Sequence, residues 1–511
     1  MQAFKRYKWE FFAAFSLVFL YITTRLLHIL TLPIFTDEAI YIRWAQIAKD
    51  DASWRFISLT DGKQPLFIWF VMLSLRFFHD PLLAGRMVSV LGGLLGAIGV
   101  GMVAHKVFKN VTIGIIASFL YVILPFSLVY DKLALYEAWT GALTMWALYF
   151  QLFLIHLPRL DLAYTTGFVM GAAMLNKSSG FFTAYLLPFY LLLFDWNKRN
   201  RISRLIKWIT MAVVSVVVSY SMYSVLRLSP WFNMIDEKNL TFIFSFNEWL
   251  MHPFRFFLGN LRGEWDWFHS YITWFFVFFT AVGFLIYPKT YLKEKLILLV
   301  WFLVPFLILA LFGKVLYPRY LHFMVLPLLP VAAYGLYSLK SFFKSNIVFI
   351  STILLLFIQP LYFDWQIVGD IKNAPLPLAD RGQLLDDWPA GYGVKEVIAY
   401  ITEQSKNGPV FLGTEGTFGL FPAAFEIYLV KNKKIELKGF WPIHDDTLQI
   451  LLEKARKEPT FFVLKESEKP KDGWPLTEIF SIQRGNGNSY LRFYRVNPIF
   501  PSNYSGKPSW K

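Results

Sequence analysis

The sequence predicts a polytopic α-helical membrane protein with an extracytoplasmic α/β domain after the membrane region. Of its 511 residues 56% are hydrophobic and only 17% are charged, which is too little charge for a soluble surface. Apolar runs that approach spanning length recur from residue 11 to residue 363, and they predict about eleven transmembrane helices. From about residue 365 short helix and strand patterns replace them.

Each predicted span is a mostly apolar run close to the roughly 20 residues that a helix needs to cross the hydrocarbon core. The basic residues before the first run, and the lack of a small-residue cleavage site after it, predict an uncleaved helix instead of a signal peptide. The predicted spans are 11–31, 84–104, 111–129, 133–155, 161–176, 180–195, 208–226, 271–287, 295–312, 320–339 and 346–363.

Lys and Arg residues predict the orientation, because they concentrate in the loops that share the side of the N-terminus, most densely at 198–207. The N-terminus is therefore predicted to be cytoplasmic, with two long outer loops at 32–82 and 227–270. The apolar segment 64–78 is too short for a span, and counting it would place 198–207 outside, so we expect an interfacial helix there.

The net charge of +15 lies in these loops, which favours membrane orientation over a nucleic-acid partner. The absence of cysteine excludes disulfides, thiolate catalysis and Cys-ligated metal. The predicted domains are a transmembrane domain over 1–364, an α/β domain over 365–500 and a disordered tail over 501–511. In the α/β domain three helix patterns alternate with three strand patterns, and a final hairpin turns at RGNGNS.

Two adjacent acids, Asp37 and Glu38, directly follow the first span. A carboxylate held at the membrane surface could serve as the general base for an acceptor hydroxyl, with Tyr41 and Arg43 behind it as substrate-binding candidates. The alternative is a solvated helix start, in which Thr36 caps the helix and the acids face its dipole.

Two further acids lie near the outer ends of the third and fourth predicted spans. Glu137 falls within the apolar run LALYEAWTGALTMWALYF, where an acid is costly unless it is paired or near water, so it is a functional candidate. Asp131 is either a loop residue or a substrate-binding one.

Four cations, Lys63, Lys177, Lys314 and Arg319, are predicted at the same membrane depth as the acids. Each alone could be a boundary residue that extends towards the headgroups. Together they could clamp an anionic leaving group such as a phosphodiester. The aromatic-rich loop 227–270 adds Arg262 as a weaker substrate-binding candidate. No metal-ligand motif such as HExxH occurs, so no cofactor is predicted, although the acids leave a divalent cation open.

The order and spacing of several segments resemble the glycosyltransferase family 39-like membrane enzymes, which include the protein O-mannosyltransferases and the bacterial aminoarabinose transferases. The resemblance covers about 30–340. It is carried by FTDEAIYIRWAQ, KQPLFIWFVMLSLRFF, AGRMVSVLGGLLGAIGVGMVAHKVF, YDKLALYEAWTGAL, AAMLNKSSG and YPRYLHFMVLPLLP.

The resemblance implies a GT-C fold and transfer of a sugar from a polyprenyl-phosphate donor to a protein, glycan or lipid acceptor on the extracytoplasmic side. Carried over by position, the resemblance implies that Asp37 is the catalytic base with Glu38 as its neighbour, that Lys63 lies near the donor phosphate, and that Glu137 takes the place of the second acid, which is usually Asp in relatives. Attack opposite the lipid phosphate would invert the anomeric configuration. The aminoarabinose branch has an Arg where this chain has Ile40, which argues against that substrate.

Three rival functions stay open at the level of sequence: a flippase or transporter of lipid-linked sugar, a polysaccharide polymerase or ligase, and a non-catalytic homologue whose C-terminal domain binds carbohydrate or protein. Transporters usually show internal repeats and acids in mid-span, whereas the charges here gather at one membrane face. The compact loops lead us to expect a prokaryotic plasma membrane.

Overall fold

The computed structural model describes residues 8–465 and 473–498, so the predicted disordered tail over 501–511 lies outside the described residues. The chain forms two compact units. The first comprises 1–29, 51–74 and 86–377, and the second comprises 30–50, 75–85 and 378–511. The predicted domain boundary near residue 364 stays a prediction. The division into two units places residues 30–50, which follow the first predicted span, in the second unit.

The first unit is helical throughout. All the predicted spans coincide with helical segments, but six of the described helices are long and apolar enough to cross a membrane, or seven if one bent pair counts as one. The number of crossings stays a prediction. Its helices are Lys8–Leu26, Leu66–Ser74, Pro81–Phe108 (from residue 86), Val111–Val122, Pro125–Tyr130, Glu137–Leu154, Leu160–Asn176, Phe182–Tyr185, Arg201–Tyr223, Met234–Phe242, Phe246–Met251, Phe257–Leu285, Leu292–Phe312, His322–Val325, Leu328–Leu339 and Asn346–Gly369, with short 3-10 turns between several of them.

Local chemistry explains where several of these helices begin and bend. Asn110 caps Val111–Val122, since its side chain accepts hydrogen bonds from two backbone N–H groups of the first turn. Thr273 interrupts Phe257–Leu285 with a φ of 56°. The segments Pro318–Val325 and Leu328–Phe342 meet at an angle of 56°, where Pro327 removes a backbone donor. The predicted interfacial helix is the shorter Leu66–Ser74.

The second unit contains a five-stranded mixed sheet, which confirms the predicted small sheet. Parallel pairing joins β1 to both β2 and β3, and antiparallel pairing joins β5 to β3 and β4, so the order is β2-β1-β3-β5-β4. The predicted hairpin is the β4–β5 pair. The central strands β1 and β3 are buried at every residue, as expected for parallel strands covered on both faces. The strands are β1 (Val410–Glu415), β2 (Ile435–Phe440), β3 (Thr460–Leu464), β4 (Leu476–Gln483) and β5 (Tyr490–Val496).

Helices and an N-terminal segment complete the second unit. The helix Thr36–Asp50, here called the acidic helix, begins beside the segment that precedes the sheet: Phe35 bridges Ala390, and the Thr36 N–H donates to the Pro389 carbonyl at 3.1 Å. These hydrogen bonds explain why the residues after the first span fold with the C-terminal part of the chain. The remaining helices of this unit are Leu378–Arg381, Gly382–Asp386 (a π-helical turn), Val394–Gln404, Leu420–Leu429 and Asp445–Ala455.

Candidate active site

Three of the four predicted cations gather around two aromatic rings of the first unit. Phe242 and Tyr320 meet edge to face with ring centroids 6.4 Å apart. The Lys63 ammonium lies 5.1 Å from the Phe242 centroid, the Lys177 ammonium 4.8 Å from that of Tyr320, and the Arg319 guanidinium carbon 6.0 Å from that of Tyr320. Ring faces attract cations. We call Lys63, Lys177 and Arg319 the cation cluster.

Backbone hydrogen bonds bring these residues together from distant parts of the chain. The carbonyl of Phe242 accepts from the N–H groups of Lys314 and Val315 at 2.8 and 3.2 Å, and the Phe244 N–H donates to the Phe312 carbonyl at 2.7 Å. The end of helix Met234–Phe242 is therefore fastened to the turn that carries Arg319 and Tyr320.

Lys314, the fourth predicted cation, is engaged elsewhere. Its ammonium lies 2.9 Å from a Glu248 carboxylate oxygen and donates to the Leu240 carbonyl at 3.1 Å. The hydrogen bond from Lys314, together with those from Ser245, lowers the pKa of Glu248 to about 2. Glu248 therefore stays ionised at neutral pH and is the carboxylate partner of Lys314.

Lys238 joins the same rings, although sequence reasoning missed it. Its ammonium lies 5.9 Å from the Phe242 centroid and pairs with the Asp61 carboxylate. Asp61 comes two residues before Lys63, so the ion pair ties the first long loop to the second. Only the tertiary fold brings these residues together, because the sequence around Lys238, within the predicted outer loop 227–270, shows no motif.

Glu137 positions one member of the cation cluster. Its carboxylate lies 2.7 Å from the Lys177 ammonium, with 5% of the Glu137 side chain and 25% of the Lys177 side chain exposed. The Asn176 amide donates to the Tyr136 carbonyl and to the Thr140 hydroxyl at 3.1 and 2.8 Å, which fixes the turn that precedes Lys177. A buried acid that pairs with a mostly buried lysine can orient the ammonium without itself contacting substrate.

Asp131 is fully buried among residues of other helices. Its carboxylate pairs with the equally buried Arg25 at 3.2 Å and accepts from the hydroxyls of Tyr21 and Tyr121 at 3.2 and 3.0 Å. Three donors on one buried carboxylate give Asp131 an evident structural role. Its predicted part in substrate binding stays a prediction.

The acid pair lies in the second unit, at the start of the acidic helix. Glu38 is fully buried, and its carboxylate accepts from the Phe35 N–H at 2.9 Å, which is the bond of an N-terminal cap. Asp37 is half-buried. The two acids therefore have different surroundings in the same helix. Glu38 stabilises the start of the helix, and Asp37 lies partly open to solvent. The hydrogen bond from the Phe35 N–H to the Glu38 carboxylate stands in place of the predicted capping by Thr36, whose hydroxyl donates to the Pro389 carbonyl instead.

The two substrate-binding candidates behind the acids are engaged within the same unit. Arg43 pairs with Glu426 at 3.0 Å, and Tyr41, 4% exposed, lies 5.8 Å from the Trp44 ring. The Arg43–Glu426 pair fastens the acidic helix to Leu420–Leu429. Arg262 is exposed on helix Phe257–Leu285 of the first unit. Within residues 8–465 and 473–498 no group of three or more His, Asp or Glu side chains is placed to hold a metal ion.

One segment of this chain matches a known protein family. Residues 62–223 match the family described as dolichyl-phosphate-mannose-protein mannosyltransferase. The matched segment includes Lys63, Glu137 and Lys177 but not the acid pair. No curated protein matches the chain.

Solved structures show the same fold over nearly the whole chain. ArnT from Cupriavidus metallidurans, bound to undecaprenyl phosphate, superimposes with a TM-score of 0.58 at 14% identity, covering 98% of this chain and 99% of that one. Its apo form gives 0.53 at 13% identity, covering 96% and 98%. The oligosaccharyltransferase AglB from Archaeoglobus fulgidus, in complex with an inhibitory peptide and a dolichol-phosphate, gives 0.51 at 13% identity, covering 80% of this chain and 62% of that one.

The protein therefore has the GT-C fold of membrane glycosyltransferases. The resemblance deduced from the sequence motifs is confirmed by the family match and by these structures. Identities of 13–14% establish the fold alone, so the reaction rests on the residues of this chain.

Proposed function

We propose that this protein transfers a sugar from a polyprenyl-phosphate donor to an acceptor hydroxyl on the extracytoplasmic face of a prokaryotic plasma membrane, with inversion at the anomeric carbon. The observation that carries the proposal is the cation cluster on Phe242 and Tyr320, at a depth where the sequence predicts the outer headgroups. Three cations from separate segments suit the phosphate of a lipid-linked donor.

The chemistry needs one base and a site for the leaving phosphate. Asp37 accepts the proton of the acceptor hydroxyl, whose oxygen bonds to the anomeric carbon while the bond from that carbon to the phosphate oxygen breaks. The electron pair leaves with the polyprenyl phosphate, whose added negative charge the cation cluster stabilises. A phosphate leaves without a general acid once it is paired with cations, so a single carboxylate is sufficient.

The surroundings of the acids support this division of roles. Glu38 already accepts the capping hydrogen bond of its own helix, and Glu137 already holds Lys177. Asp37 is the half-buried acid of the three. A retaining reaction would need two carboxyl groups about 5 Å apart on either side of the sugar, and neighbours in one helical turn supply that arrangement poorly.

Turnover of defined donors tests the proposal. Purified protein in nanodiscs is incubated with a panel of polyprenyl-phosphate sugars and the native membrane fraction as the acceptor pool, and released polyprenyl phosphate is measured by mass spectrometry. We expect release with at least one donor, lowered about 100-fold or more in Asp37→Asn because general-base catalysis contributes about that much. Asp50→Asn, the same change at the exposed far end of the acidic helix, is the matched control.

The cation cluster is tested in the same assay. Lys63→Met and Lys177→Met should each slow release, whereas Lys198→Met should not, since Lys198 is an exposed lysine that pairs with Asp195. Undiminished release in Asp37→Asn would exclude Asp37 as the base. In a separate assay with the protein reconstituted in sealed lipid vesicles, transport of intact donor across the membrane without release would favour the flippase alternative.

A further inference from the structure

The three parallel strands of the second unit, β1, β2 and β3, end at the same edge of the sheet, and we call the space beside those ends the crevice. From β1 the chain passes through Leu420–Leu429 to β2 on one side of β1, and then through Asp445–Ala455 to β3 on the other side. The strand order therefore reverses at β1, which has β2 on one side and β3 on the other. Open α/β sheets bind ligands at such points.

Aromatic and charged side chains line this crevice. The Lys465 ammonium, directly after β3, lies 4.8 Å from the Trp388 centroid and 5.8 Å from that of Trp441, directly after β2. The Lys465 N–H donates at 2.8 Å to the carboxylate of Glu415, the last residue of β1. Trp441 is 57% exposed, Trp388 40% and Phe418 55%. We call these five residues the tryptophan crevice.

Exposed indole rings around a cation do not serve as core packing, because a core would cover them. Gly416 follows β1 directly and has a φ of +102°. A Cβ at this position would lie 3.3 Å from the Lys465 ammonium and 3.2 Å from the Phe421 carbonyl oxygen. Glycine at this position therefore leaves the space that the ammonium needs between the two rings.

Rings and cation together match the chemistry of a saccharide. A sugar ring presents C–H groups on its faces, which pack on indoles, and hydroxyls at its edges, which accept from the Lys465 ammonium. The Glu415 carboxylate, 1% exposed, holds the Lys465 backbone. A peptide is the alternative ligand, because β2 lies at an edge of the sheet, and peptides are therefore included in the test.

The crevice adjoins the start of the acidic helix. A Cβ built on Gly419 would lie 4.0 Å from Cγ2 of Thr36, the residue before Asp37. Phe418 lies 6.3 Å from the Trp44 ring of the same helix. A ligand in the crevice would thus be held by the unit that carries the predicted base.

We propose that the tryptophan crevice binds the acceptor and that the acceptor is a saccharide chain. The assignment of the saccharide as acceptor rests on the proposed glycosyl transfer, while saccharide binding at the crevice can be measured without it.

The test is binding of full-length protein in nanodiscs to immobilised oligosaccharides of neutral hexoses, hexosamines and uronic acids, beside a peptide array. We expect binding to at least one saccharide class, weakened about three- to tenfold by Trp441→Ala, which is the range of an aromatic contact. Trp441→Phe should retain most of the binding, because it keeps a ring. Lys465→Met should weaken binding more than Lys465→Arg does. Trp196→Ala, at a 47% exposed tryptophan of the first unit, should change nothing.

Failure of this inference can be distinguished from failure of the proposed function. Absence of saccharide binding, equal binding by Trp441→Ala, or binding to peptides instead would overturn the inference even if polyprenyl phosphate is released. Saccharide binding that depends on Trp441 without any donor release would overturn the proposed transfer and leave the crevice as a saccharide site. An increase in the acceptor KM of Trp441→Ala with unchanged kcat would support both.

Discussion

Substitutions in the ion pair between Arg25 and Asp131 test whether Asp131 stabilises the fold or binds substrate. Both side chains are fully buried, and their charged atoms lie 3.2 Å apart. In Asp131→Asn the Arg25 charge stays buried without its counter-ion, so we expect a loss of about 3–5 kcal/mol in the free energy of unfolding. The hydroxyls of Tyr21 and Tyr121 keep an oxygen acceptor in this variant, so their hydrogen bonds add little to the loss.

The matched controls follow from the same structure. Asp161→Asn removes the partner of Arg159 in a pair whose side chains are 67% and 61% exposed, and solvent screens such a pair, so this variant should lose far less stability than Asp131→Asn. The double variant Arg25→Met/Asp131→Leu removes both buried charges, so it should recover most of the stability that the single variant loses. Tyr21 keeps a hydrogen bond to the Val90 carbonyl at 2.8 Å.

Stability is measured as thermal unfolding by tryptophan fluorescence in detergent, and activity as release of polyprenyl phosphate. A structural role for Asp131 requires the double variant to be both stable and active. If the double variant is stable yet inactive, Asp131 binds substrate, as the sequence suggested. If Asp131→Asn costs no more than Asp161→Asn, the reasoning from burial is refuted.

Other contacts lead to three further expectations. Glu137→Gln should raise the donor KM with a smaller effect on kcat, because Lys177 loses the carboxylate that aims it; a loss in kcat alone would instead make Glu137 catalytic. Glu38→Ala should lower the free energy of unfolding by about 1 kcal/mol, the worth of a helix cap, whereas Glu38→Gln, which keeps an oxygen acceptor, should lower it less in the same melt. Arg43→Met and Glu426→Leu should lower thermal stability by similar amounts and leave the acceptor KM unchanged, and a rise in KM for Arg43→Met alone would restore its predicted role in substrate binding.

Helix positions in the first unit were predictable because hydropathy is a local property. Every predicted span lies on a helical segment, since a run of apolar side chains in lipid must satisfy its backbone polar groups within the segment. The bends were not predictable to the same degree. Thr273 adopts a φ of 56° in the middle of an apolar run, and no residue pattern in that run indicates a break.

The cation cluster was predictable in part. Loop charges and span lengths placed Lys63, Lys177, Lys314 and Arg319 at one depth. Their separation into a cluster and a Glu248-bound lysine depends on contacts between residues far apart in the chain. Lys238 escaped sequence reasoning for the same reason, because its partner Asp61 lies 177 positions earlier.

The sequence by itself determined the membrane character, the places of the helices and strands, and the residue types available for chemistry, because these follow from composition and short-range periodicity. Only the tertiary structure decided which groups Glu38, Glu137 and Asp131 contact, and that the helix carrying Asp37 folds with the C-terminal sheet. Ion pairs and backbone hydrogen bonds join residues hundreds of positions apart, such as Arg43 with Glu426 and Thr36 with Pro389. Such pairings depend on three-dimensional proximity, which no local pattern in the chain encodes.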